Sequence, residues 1–126
     1  ISLIISTHEI QEVMPWLDQI IVLQEGRLIQ NESPRDIYSN PYNAYVAKLF
    51  GEVNVFSDEE KAAFGLSKNF WYPNEIKISH SGKEARILES RFAGNHYWNK
   101  VLVSGKELTI YSETHLYGES AVHFAD

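Results

Sequence analysis

The feature that most restricts the fold of this chain is a series of five short strand-like segments in its second half. They span residues 75–80, 84–92, 97–103, 107–112 and 121–124, and turns rich in Ser, Gly and Asn separate them. Short strands at such intervals are typical of a small barrel or a curled antiparallel sheet. The sequence therefore predicts a β domain over residues 70–126.

The first half of the chain follows a different pattern. "SLIIS" at residues 2–6 is apolar without alternation, which predicts a strand buried on both faces, as in a parallel sheet. A short helix should follow and end near Pro15. "DQIIVLQEGRLIQN" then predicts two strands joined by a Glu25-Gly26 turn. The predicted fold class is α+β: strand, helix, strand and hairpin with further helices, followed by the small antiparallel β domain.

Two further helices carry clear start and stop signals. Ser33 precedes Pro34, so it can cap a helix that has proline at its first position. Ser57 and Glu60 have the spacing of a capping box, and Gly65 is placed to end that helix. We expect a short linking helix within residues 57–69.

Composition excludes several classes of function. The net charge is −6 and no stripe of basic residues occurs, which argues against nucleic acid as a partner. The chain has no cysteine, so disulfides and thiolate metal sites are impossible, and this suits a cytoplasmic protein. The apolar runs are far shorter than the ~20 residues that span a bilayer. The first residue is not methionine and lies in a predicted strand, so we expect the chain to be part of a longer protein.

The segment from "STHEIQEV" to "LFGEVN" resembles the C-terminal part of the ATP-binding subunit of ABC transporters. The resemblance is to the importer branch that includes maltose, polyamine and ferric-iron systems, and "LFGEVNVF" favours the last two. Residues at matching positions of the family pattern are Thr7, His8, Gly26, Gln30, Pro34, Ile37, Tyr38, Pro41, Val46, Ala47, Gly51 and Asn54.

The resemblance implies a catalytic role for His8 in a full-length parent protein. There it would be the switch histidine, which contacts the γ-phosphate of ATP and helps to position the attacking water. An imidazole N–H at a strand end can stabilise charge that develops on a phosphate oxygen. Two residues depart from the family pattern: Glu9 replaces the usual aspartate, and Pro15 lies within a helix.

The resemblance also implies the cofactors, partners and location of the parent. These are ATP with Mg²⁺, a second ATPase subunit in a homodimer, permease subunits, and a cytoplasmic position at the inner face of the cell membrane. The chain itself contains no "GxxxxGK[ST]", no "LSGGQ" and no acidic Walker B strand. We therefore expect it to bind no cofactor and hydrolyse nothing alone, and its uncovered N-terminal strand should make it self-associate.

The second half resembles, more loosely, the transport-associated OB-like domain of the same branch. "NFWYPNEIKI" carries this likeness, although Tyr72 stands where the family has arginine. The predicted domains are residues 1–56 as the end of the nucleotide-binding domain, 57–69 as a linking helix, and 70–126 as a regulatory or dimer-contact OB-like domain.

Two other functions remain open from the sequence. One is a stand-alone β module that senses a small ligand, such as an oxyanion. The other is an OB fold that binds single-stranded nucleic acid through the aromatic groups at residues 70–72 and 96–98. Packing is the better explanation of those aromatics, because the basic residues that would accompany them are missing. No metal site is expected, because the remaining histidines lack the spacing of metal ligands. These are His80, His96, His115 and His123.

Overall fold

The computed structural model describes residues 3–7 and 10–125. It contains two compact units, Ile1–Gly51 and Glu52–Asp126. Residues 52–56 thus belong with the second unit, whereas the predicted domain limits placed them with the first. The fold class is confirmed at the level of a mixed α+β protein with one five-stranded antiparallel sheet.

The elements of the first unit are short. They are, in chain order, helix α1 (Ile10–Val13), a 3₁₀ turn (Met14–Trp16), strands β1 (Ile20–Gln24) and β2 (Arg27–Glu32), and helices α2 (Pro34–Ser39) and α3 (Ala44–Lys48). Strands β1 and β2 pair antiparallel. Glu25 and Gly26 both adopt positive φ angles, 52° and 76°, as a two-residue hairpin turn of type I′ requires. The predicted hairpin is confirmed.

The predicted strand at residues 2–6 is wrong for the residues that the structure describes. Residues 3–7 have no regular secondary structure and are exposed, and Ser2 lies outside the described residues. A strand needs a neighbour that accepts and donates its backbone hydrogen bonds. No strand in the described ranges pairs with this segment, so its apolar sequence alone does not make it a strand.

The predicted early end of the first helix is confirmed. α1 ends at Val13, and Pro15 lies in the first turn of the 3₁₀ segment. Proline has no N–H to donate to the carbonyl of Gln11, and its ring collides with that carbonyl in an α-helix. The helix predicted after Ser33 is also confirmed: Ser33 Oγ accepts from the backbone N–H of Asp36 at 3.2 Å.

The second unit begins with small elements and ends in a five-stranded sheet. The elements are β3 (Asn54–Val55), helix α4 (Asp58–Phe64), β4 (Phe70–Trp71), a 3₁₀ turn (Pro73–Glu75), β5 (Ile76–Ser79), β6 (Lys83–Phe92), β7 (Tyr97–Val103), β8 (Lys106–Ser112) and β9 (Glu119–Phe124). β3 pairs with β4. The five strands predicted from turn spacing correspond to β5 to β9.

The five-stranded sheet curls strongly. Its strand order is β5-β9-β6-β7-β8, all neighbouring pairs are antiparallel, and the two edge strands β5 and β8 nevertheless contact each other. The curl encloses one apolar core, whose fully buried side chains include Phe56, Trp71, Ile76, Val101 and Ile110.

Helix α4 closes against this core as its capping signals predict. Ser57 Oγ accepts from the N–H of Glu60 at 3.1 Å, and Glu60 Oε1 accepts from the N–H of Ser57 at 3.0 Å. Gly65 ends the helix at φ 68°, in the left-handed region. Phe64, near that end, packs edge-to-face on Phe56 with ring centroids 5.2 Å apart.

Candidate functional site

The predicted switch site is not among the described parts of the chain. His8 and Glu9 lie outside the described residues; Thr7 is exposed, and α1 begins at Ile10. The catalytic role of His8 therefore stays a prediction.

Several other residues of the family pattern hold the hairpin to the helices that follow it. Gln30 of β2 is buried; its Nε2 donates to the carbonyl of Asn40 at 2.9 Å, and its Oε1 accepts from the N–H of Tyr42 at 2.9 Å. Ile37 in α2 and Val46 in α3 are fully buried. The contacts of Gln30 hold β2 to the segment that follows α2. Packing and hydrogen bonding therefore explain why these residue types occur at their positions in the family pattern.

The outer face of the hairpin is apolar and exposed. Ile21, Leu23 and Leu28 are each about 60% exposed, and Leu23 lies directly opposite Leu28 across the two strands. Trp16, just before the hairpin, is 80% exposed. Clustered apolar side chains of this kind mark a surface that packs against other protein.

Asn54 fastens the start of the second unit to the edge of the sheet. Its Oδ1 accepts from the N–H of Thr109 at 2.7 Å, and its Nδ2 donates to the carbonyl of Thr109 at 2.8 Å and to that of Trp71 at 3.0 Å. The carboxamide thus replaces a strand partner for edge strand β8, and Asn54 is only 7% exposed. The sequence flagged Asn54 as a pattern residue without indicating this contact.

Glu52 makes a second contact with the sheet. Both of its carboxylate oxygens accept from Trp98 Nε1 on β7, at 3.0 and 3.2 Å. Burial, and then the negative charge of Glu52, raise the pKa of Tyr111, which pairs with Trp98 across β7 and β8. We call residues 52–56 the connecting strap; the chain enters the sheet unit through it.

Aromatic rings and imidazoles gather at one end of the sheet. The Tyr97 ring lies 5.5 Å from that of Phe92 and 5.7 Å from that of His115, and His96 lies 4.1 Å from Tyr111. In residues 3–7 and 10–125, no three His, Asp or Glu side chains come together as a metal site would require. The "HYW" aromatics form packing contacts at this end, which agrees with the packing interpretation.

Asn99 is fully buried next to this end of the sheet. Its Nδ2 donates to the carbonyl of Ile110 at 3.1 Å and to Ser112 Oγ at 2.9 Å. Its Oδ1 has no hydrogen-bond partner among the described residues. These bonds tie the ends of β7 and β8 together.

An open depression of about 520 Å³ lies on the sheet near the β7–β8 turn. Its lining includes one basic residue, Arg86, and two acidic residues, Glu84 and Glu119. The two acidic groups outnumber the one basic group, so the charge of this depression disfavours an anion.

None of the helices in the described ranges is long and apolar enough to cross a membrane.

Comparison with known proteins gives a consistent set of relatives. The spermidine/putrescine import ATP-binding protein PotA of Vibrio cholerae serotype O1 is 36% identical over 98 residues, which cover 70% of this chain and 25% of that protein. The proteins of the same name from Pasteurella multocida and Mannheimia succiniciproducens are each 46% identical, over 57 and 56 residues, or 15% of their length. No protein-family profile matches the chain.

The chain is partly homologous to these import ATP-binding proteins. The predicted resemblance to the ATP-binding subunits of importers is thereby confirmed. The match with the Vibrio cholerae protein covers 70% of the chain, which is more than either unit contains, so it includes residues of both. The chain spans about a quarter or less of the length of these import ATP-binding proteins.

Proposed function

We propose that this chain is the C-terminal part of the ATP-hydrolysing subunit of an ABC importer. The observation that carries the proposal is the 98-residue match to an import ATP-binding protein, which extends beyond the first unit into the sheet unit. The exposed apolar face of Ile21, Leu23 and Leu28 supports it, because a larger ATPase domain would cover such a face.

In the proposed parent protein, His8 is the switch histidine. Its imidazole would donate a hydrogen bond to the γ-phosphate of ATP as charge develops there, and it would orient the attacking water. ATP with Mg²⁺ would supply the phosphoryl group and neutralise its charge. This chain has no phosphate-binding loop, so other parts of the parent would hold the nucleotide, and the chain alone is inactive.

The sheet unit serves regulation or dimer contact in this proposal. The curled antiparallel sheet is compatible with an OB-like domain, with the linking helix of residues 57–69 before it. Because residues 52–56 make their contacts with the sheet unit, we propose that the nucleotide-binding domain ends near Gly51 and not near residue 56 as the sequence predicted.

The proposed substrates of the parent are polyamines, because the relatives are named for spermidine and putrescine import. Its partners are a second ATPase subunit and the permease subunits that recruit it to the inner face of the membrane. Specificity for the polyamine would lie with the partners.

The test is to read the coding DNA upstream of Ile1 and to express the whole reading frame. We expect a phosphate loop, a signature motif and an acidic strand in frame, and ATP hydrolysis by the product. Replacing His8 with alanine should lower kcat by about 10²–10³, the usual loss of one donor to a developing charge.

A start codon directly before Ile1 would overturn the proposal. An active parent whose hydrolysis is unchanged by His8→Ala would overturn the role of His8 alone. His80→Ala, which alters an exposed histidine of the sheet unit, is the matched control.

A further inference from the structure

Alternate residues of the connecting strap contact the five-stranded sheet or its core. Glu52 accepts from Trp98 Nε1, the Asn54 carboxamide pairs with the backbone of Thr109, and Phe56 is buried in the core. Val55 between the last two is 37% exposed. This alternation places three successive anchors along five residues, as in an extended strand.

The first two anchors differ greatly in strength. The bond from Trp98 to Glu52 is exposed to solvent, so water can replace it at small cost. Asn54 is buried, and its release would leave both the N–H and the carbonyl of Thr109 unpaired. Opening at Glu52 is therefore far easier than opening at Asn54.

We propose that the connecting strap is a latched segment, with Glu52 as a latch that opens and Asn54 as the fixed hinge. When the Glu52–Trp98 contact breaks, Glu52 leaves β7 and residues 51–53 become mobile, while residues 54–56 stay in place. Gly51, directly before the latch, has a φ of 123°, a backbone conformation that residues other than glycine rarely adopt.

The state of the latch sets the residue at which the chain becomes attached to the sheet. In the closed state the attachment begins at Glu52. In the open state it begins at Asn54, and residues 52 and 53 are released. The contacts that carry the inference, those of Glu52, Asn54 and Phe56, lie within the sheet unit, and the inference does not depend on the proposed ATPase function.

The test uses the ¹⁵N-labelled 126-residue chain and compares wild type with Glu52→Ala. We expect backbone order parameters of residues 51–53 to fall from about 0.85 to below about 0.6, while those of residues 54–56 stay unchanged. Exchange of the Trp98 indole proton with water should rise about tenfold. Glu84→Ala, which removes an exposed carboxylate on β6, should change neither quantity.

Two results would overturn the inference. If residues 51–53 stay as rigid in Glu52→Ala as in wild type, Glu52 is not the latch. If residues 51–53 and 54–56 loosen together, Asn54 is not a hinge. Glu52→Ala alters an exposed side chain, so the fold should persist, and unchanged cross-peaks from β6 to β8 verify this in the same spectra.

Discussion

The two units of this chain differ in how fully they bury their apolar side chains. The sheet unit curls until its edge strands meet, and the side chains of Trp71, Val101 and Ile110 are removed from water. The first unit leaves its hairpin face exposed, with Ile21 at 60%. The difference teaches that the sheet unit is a complete folding unit, whereas the first unit has an apolar face suited to further protein.

The largest expected effect comes from a matched pair of isoleucines on strands. Ile110 is fully buried in the sheet core and Ile21 is 60% exposed on the hairpin. Ile110→Ala should lower the free energy of unfolding by about 2–5 kcal/mol, while Ile21→Ala should change it by less than about 0.5 kcal/mol. Denaturant unfolding followed by far-UV circular dichroism measures both. Equal losses of unfolding free energy in the two variants would contradict the claim that the two units differ in burial.

The next effect concerns the edge of the sheet. Asn54→Ala should cost about 2–4 kcal/mol, because the N–H and carbonyl of Thr109 both lose their partner. The control is Asn95→Ala, which removes an exposed amide bonded to His96 and should cost less than about 0.5 kcal/mol. A loss for Asn54→Ala no larger than that of the control would show that the edge strand does not need the carboxamide.

The apolar hairpin face should drive association of the chain. Leu23→Ser combined with Leu28→Thr removes the exposed pair that lies directly across β1 and β2. We expect wild type to form dimers or larger species in sedimentation velocity, and the double variant to shift towards monomer with its global stability within about 1 kcal/mol. A wild type that stays monomeric at high concentration would contradict the role given to this face.

The smallest effect is electrostatic. The N–H of Ser57, and then Lys106 at 3.0 Å, lower the pKa of Glu60 below its usual 4.5. A lowered pKa in the folded state adds stability above pH 4.5 that disappears as the pH falls through the lowered value. Glu60→Gln should flatten this part of the stability–pH curve.

Glu59→Gln is the matched control for that curve, since Glu59 lies on the same helix and makes neither contact. If Glu60→Gln leaves the slope below pH 4.5 as steep as in wild type, the capping interaction does not contribute to acid sensitivity.

Features set by neighbouring residues could be predicted from the sequence. The Glu25-Gly26 turn and the caps at Ser33 and Ser57 each depend on a few adjacent side chains. The turns between the five sheet strands are local in the same way, and their spacing located the strands. The strand predicted near residues 2–6 failed because a strand depends on a partner as well as on its own apolar content.

The contacts of the connecting strap were not predictable for a related reason. Glu52 meets Trp98 across 46 residues and Asn54 meets Thr109 across 55, and no local pattern reports such a separation. Asn54 did appear in the family pattern, so its position was recognised while its structural role was not. The role of His8 stays a prediction.

Hydrogen exchange of the 126-residue chain tests the central claim most directly. Buried strands of a complete core exchange only by global unfolding, whereas a hairpin with one exposed face exchanges by local opening. We predict that the amides of β7 and β8 are protected at least about 100-fold more than those of β1 and β2. Equal protection of the two sets would contradict the claim that only the sheet unit is complete.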